Sequence, residues 1–174
     1  GGIEIGLVSG IKGCSNIATG DDCITIGGAS EQIRITNVRC GHGHGNSVGS
    51  LGKTTDEFTW PALHGGMASN MHLEDIMMKN VCNPIIIDQV YCPGNQCNPK
   101  LPSKVKIANV TFKNIRGSSA TTVAIRLNCS SSFACQKVEL TNINLTYRAK
   151  EGPAKSLCAN VKPTLKGKLT PTIC

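Results

Sequence analysis

A short pattern recurs along this 174-residue chain and limits what it can fold into: an apolar residue, one spacer, Asn or Asp, then Ile or Val. It stands at Ile35-Thr36-Asn37-Val38, Leu73-Glu74-Asp75-Ile76, Ile107-Ala108-Asn109-Val110 and Leu140-Thr141-Asn142-Ile143, with a looser copy at Cys14-Ser15-Asn16-Ile17. The Asn or Asp positions are 21, 38, 34 and 33 residues apart. Each lies in a short alternating run rich in β-branched residues, such as 105–115 or 138–145, which favours strand over helix. Gly, Asn, Ser and Pro punctuate the intervals, and no segment carries a long stripe of helical period. Short strands returning at such intervals suggest a parallel β-solenoid, in which stacked coils can align Asn side chains into ladders. A β-sandwich is the competing all-β solution, but its turns come roughly every 8–12 residues, closer than these. No composition shift or charge run marks a second domain, so residues 1–174 are expected to form one.

Ten cysteines are too many for an ordinary cytosolic chain, and no pair of CxxC motifs suggests zinc. Three N-x-S/T sequons, at Asn109, Asn128 and Asn144, favour the secretory route as well. No stretch of eighteen apolar residues exists, so no membrane span is expected. The chain opens at Gly1 without a Met or a signal-like segment, which reads as a mature product, a fragment or a trimmed chain. A formal net charge of +7 draws such a protein to polyanions, whether acidic polysaccharide, nucleic acid or anionic membrane, or serves solubility alone. Nucleic acid is the weakest of these, because aromatics are 3% of residues and the Lys and Arg are scattered.

Gly20-Asp21-Asp22, followed by Gly43-His44-Gly45, supplies two adjacent carboxylates and an imidazole. These are the groups that move protons at a glycosidic bond. Alone, such a run more often marks a turn. His42 stands two residues before His44, but no third ligand follows at a useful spacing, so no metal site is expected.

Taken together, Gly20-Asp21-Asp22-Cys23, Gly43-His44-Gly45 with Ser47-Val48-Gly49-Ser50, and Asp88-Gln89-Val90-Tyr91-Cys92 resemble the polygalacturonases, glycoside hydrolase family 28. The flavour is that of plant pollen exopolygalacturonases, many of them allergens. The resemblance runs through nearly the whole chain and implies an all-β, right-handed parallel β-helix of the pectin-lyase-like kind, here shortened. It implies a secreted, glycosylated cell-wall monomer that hydrolyses α-1,4-linked galacturonan in pectin with inversion, from chain ends. It assigns Asp21 as general acid, Asp22 as a member of the base pair, His44 as keeper of the acid's protonation state, and Tyr91 as a substrate-binding ring. Lys53 is a further candidate for holding a carboxylate. The implied disulfides are Cys23–Cys40, Cys92–Cys97, Cys129–Cys135 and Cys158–Cys174, which leaves Cys14 and Cys82 over.

Two parts of the family pattern are missing. The first-motif Asp aligns with Gly1 or lies outside the chain, and Glu4 is no obvious substitute. The Arg-Ile-Lys motif is absent: Lys53 to Phe58 runs straight into Thr59-Trp60-Pro61, as if one coil were deleted, and Arg126 lies beyond Tyr91. Weak or no turnover follows, and a catalytically silent pectin-binding or allergenic relative is the rival reading. A calcium-dependent pectate lyase on a similar solenoid fits these motifs less well.

Overall fold

Strands follow one another with no helix between them among the described residues. The structure, a computed structural model, describes residues 3–5, 15–18, 22–27, 30–49, 66–91, 102–147 and 153–174; at 3–5, 15–18, 22 and 49 it describes the backbone. The strands are β1 (Ile3–Ile5), β2 (Ser15–Ala18), β3 (Asp22–Ile26), β4 (Glu31–Gly49), β5 (Met67–Asp88), β6 (Lys106–Ser119), β7 (Val123–Asn128), β8 (Gln136–Thr146), β9 (Lys155–Ala159) and β10 (Thr164–Thr170). All their pairings are parallel. One run of neighbours is β2-β4-β5-β6-β8-β10, and a second is β1-β3-β4-β5-β7-β9. β4 and β5 belong to both because each bends and serves one run with its first part and the other with its last.

The bends explain the repeat. Gln32, Asn37 and His42 in β4 have φ of 55°, 56° and 40°, and Asn70, Asp75 and Asn80 in β5 have 57°, 54° and 51°. β6 turns at Asn109 and Asn114 (55° and 52°), and β8 at Lys137 and Asn142, both 51°. Asn and Asp tolerate this left-handed region better than other side-chain-bearing residues, so they collect where the chain must turn between short straight segments.

The Asn ladders exist, with one correction. Asn114 Nδ2 donates to Asp75 Oδ1 at 3.0 Å and Asn142 Nδ2 to Asn114 Oδ1 at 3.3 Å. Asn109, grouped by the repeat with Asp75 and Asn142, instead donates to Asn70 Oδ1 at 3.0 Å, one corner earlier. Both corners carry the same local sequence, apolar-x-Asn-apolar, at 107–110 and again at Phe112-Lys113-Asn114-Ile115. The motif alone therefore cannot tell them apart.

Between the corners, alternate residues point inward and stack in register. Ile33, Met71, Val110 and Val138 form one such row, and Ile35, Leu73, Phe112 and Leu140 another. All eight are buried. Each such side chain contributes about 1.5–3 kcal/mol by leaving water, so the stack of rows is what holds the coils together.

Candidate active site

The second run of strands carries the candidate site. Its rows cross β3, the end of β4, the end of β5, β7 and β9. Ile26, Val48, Ile87, Leu127 and Cys158 share one row, and Ile24, Asn46, Ile85 and Ile125 another. In the second row Ile24, Ile85 and Ile125 are buried apolar groups, whereas Asn46 is a buried amide whose Nδ2 has no hydrogen-bond partner. Between these inner rows lies an outer one, Thr25-Ser47-Ile86-Arg126-Leu157.

Two residues back from Ile24, Asp22 pairs in register with His44, and His44 with Cys82. Adjacent strands lie about 4.8 Å apart, so a carboxylate position and an exposed imidazole stand side by side on the sheet. A disulfide between Cys23 and Cys40, Cα–Cα 5.7 Å, ties the two strands together directly beside this pair. Asp21 and Lys53 lie outside the described residues.

The glycines around His44 have separate reasons. Opposite Gly45 the β5 strand carries two residues, Asn83 and Pro84, one more than β4, so the register shifts between His44 and Asn46. A Cβ on Gly45 would overlap the backbone of both Asn83 and Pro84. Only glycine lets the bulge close against His44's strand. His42 occupies a corner, with φ 40°, and does not share a straight segment with His44. Among the described residues no group of three or more His, Cys, Asp or Glu is placed to hold a metal ion.

Tyr91 follows the end of β5 and is 51% exposed. The turn that carries it is anchored from below. Asp88 Oδ1 accepts from Val90 N at 3.1 Å and from Asn128 Nδ2 at 3.5 Å. Gln89 is buried, with Nε2 donating to the Val105 carbonyl at 2.9 Å and Oε1 accepting from Ser130 N at 2.9 Å. Ser130 Oγ donates to the Ser103 carbonyl at 2.6 Å. Sequence reading took Tyr91 from this motif and passed over Gln89, although a polar residue just behind the Ile85-Ile86-Ile87 run was the available signal.

Cys129–Cys135 and Cys158–Cys174 are disulfides, each with Cα–Cα 5.8 Å. Cys92, Cys97 and Cys14 lie outside the described residues, and Cys82 is a half-buried free thiol. Of the three sequon asparagines, Asn144 is exposed, whereas Asn109 and Asn128 are part-buried with Nδ2 engaged by Asn70 and Asp88.

Asp22 and His44 thus share one register position within a parallel β-solenoid. The family described as "Glycosyl hydrolases family 28" matches the chain over residues 1–59 and 58–170, and the chain belongs to it. Its fold is accordingly the right-handed parallel β-helix of that family. The chain is 49% identical over 182 residues to a polygalacturonase of Nicotiana tabacum, covering 92% of this chain and 46% of that protein. It is 48% identical over 196 residues to an exopolygalacturonase of Oenothera organensis, covering 99% and 54%. An exopolygalacturonase of Platanus acerifolia is 42% identical over 195 residues, covering 99% and 52%. The chain thus spans about half the length of the curated relatives it matches. The family match breaks at residues 58–59, and the Oenothera alignment spans 196 positions against 174 residues of chain. Both facts agree with a stretch missing where the Arg-Ile-Lys coil was expected.

Proposed function

We propose that this chain hydrolyses α-1,4-galacturonosyl bonds of pectin with inversion, from chain ends, in the plant cell wall, and that it does so slowly. The observation that carries the reading is the Asp22–His44 register pair, clamped by Cys23–Cys40, in a family whose named relatives are polygalacturonases. In this account Asp21 protonates the leaving oxygen, and Asp22 helps deprotonate water on the opposite face of the sugar. Inverting enzymes hold those carboxyls about 6.5–9.5 Å apart to admit the water. His44, in register with Asp22, orients the acid in this account. The exposed Tyr91 ring packs on a sugar face, and Lys53 contributes positive charge toward uronate carboxylates. Acid, base and water suffice for this chemistry, so no cofactor is invoked.

The low rate follows from the missing coil, which carries the Arg-Ile-Lys of the family pattern. Losing charge-stabilising groups commonly costs about two to three orders of magnitude each. The two-piece family match also favours a second reading, a secreted galacturonan-binding relative without turnover. Chromatography of the products from polygalacturonate separates these. Monogalacturonate accumulating alone supports the exo-acting hydrolase. A ladder of oligomers contradicts end-wise action, and no product at all leaves the binding reading.

A further inference from the structure

We infer that Arg126 is a carboxylate-binding residue of the site sheet, where it holds the acidic group of a uronic acid in the bound polysaccharide. The inference rests on the proposed function for the identity of the ligand and on the structure for the residue. Arg126 sits in β7 in register with Ile86 of β5, which is in register with Ser47 and, through it, Thr25. It therefore belongs to the outer row of the same sheet that carries Asp22 and His44. With strands about 4.8 Å apart, its backbone stands two strands, about 10 Å, along the stack from Ser47. A guanidinium there is suited to a sugar neighbouring the one at Asp22 and His44.

The surroundings of Arg126 are those of a ligand contact more than of a structural ion pair. Its Nε is buried and has no hydrogen-bond partner. Among the described residues two cations do sit in ion pairs, Arg34 with Glu74 at 3.2 Å and Lys166 with Glu139 at 2.6 Å. The acid diagonal to Arg126 on the outer face is Asp88, and its Oδ1 is taken by Val90 N and Asn128 Nδ2. On either side in the row stand Ile86, half-buried, and Leu157, 50% exposed. Arg126 and Leu157 line a cavity of ≈ 210 Å³ together with Asn128 and Ala159. A cation between two apolar side chains matches a uronate, which offers C–H faces beside one carboxylate. Arg presents a planar fork that binds such a group through two parallel N–H···O bonds, a geometry that Lys lacks.

The test is calorimetric titration of trigalacturonate and of its methyl ester into the full chain, Arg126→Ala and Arg126→Lys, with thermal unfolding to verify that each is folded. Wild type should prefer the acid over the ester. Arg126→Ala should lose about tenfold or more in affinity for the acid while binding the ester as before, and Arg126→Lys should fall between. An unchanged acid-over-ester ratio in both variants would overturn the role of Arg126 and leave the proposed function standing. Wild type binding neither sugar would overturn both.

Discussion

Asp22 and His44 occupy one register position on adjacent parallel strands, and the disulfide that joins Cys23 to Cys40 closes the same strand pair. Residues some twenty positions apart in sequence thereby become neighbours about 4.8 Å apart, with little freedom to separate. Reducing that bond should loosen the pair before it unfolds the coils. The rows Ile33-Met71-Val110-Val138 and Ile35-Leu73-Phe112-Leu140 contain neither cysteine.

Gly45 is expected to tolerate no side chain. Gly45→Ala should destabilise the fold by about 1–3 kcal/mol, because the new Cβ meets backbone that cannot swing away. Gly41, which has open space around its Cβ position, is the control. Denaturant unfolding of Gly41→Ala and Gly45→Ala checks this, and equal stability of the two would contradict the packing account.

Asn114 serves two purposes that substitution can separate. Its side chain bridges Asp75 and Asn142, and its backbone sits at φ 52°. Asn114→Gly removes the bridging bonds, each worth about 0.5–1.5 kcal/mol, and keeps the backbone at ease. Asn114→Ala should be worse by a further 1–2 kcal/mol or so, the cost of a Cβ in the left-handed region. Melting temperatures in the order wild type, Gly, Ala would support this, and the reverse order of the two variants would refute it.

The solenoid was legible because corners need left-handed residues and inner rows need alternation, and both leave marks on sequence. Which corner each Asn occupies was not legible, since corners five residues apart look alike, and Asn109 was grouped one corner too late. Arg126 follows Tyr91 in sequence by most of a winding, yet one winding of about 40 residues, as between Asp88 and Asn128, amounts to a single strand step. Gln89 escaped notice for a similar reason. Its partners, Val105 and Ser130, come from the chain before and after the next winding.

Glu139 has its carboxyl held below the ordinary range, first by the hydrogen bond from Lys166, then by one from Thr141. A carboxyl lowered by folding stabilises the fold above its unfolded value, and the gain is lost as pH falls through the folded one. Lys166→Ala should therefore flatten the acid side of the stability profile and leave pH 7 stability within about 1 kcal/mol, since the pair is exposed. Unfolding curves from pH 2 to 7 measure it, and an unchanged acid slope would count against the pairing.

Glycan attachment should concentrate at Asn144. Its side chain is exposed, whereas those of Asn109 and Asn128 are part-buried and engaged. In a secreting plant host, Asn144→Gln should remove most of the enzymatically cleavable mass shift, and Asn128→Gln should leave it. The opposite pattern would mean that attachment precedes the contacts seen in the folded chain.

On the proposed function, the Asp-Asp and His segments form a working, weakened hydrolytic site. Reducing-end release from polygalacturonate at mildly acidic pH, compared between the chain and its Asp21→Asn variant, is the measurement that decides it. Slow release that vanishes in the variant is the predicted result, with Asp21 supplying the proton. No release from the folded chain, or release that Asp21→Asn leaves untouched, would contradict it.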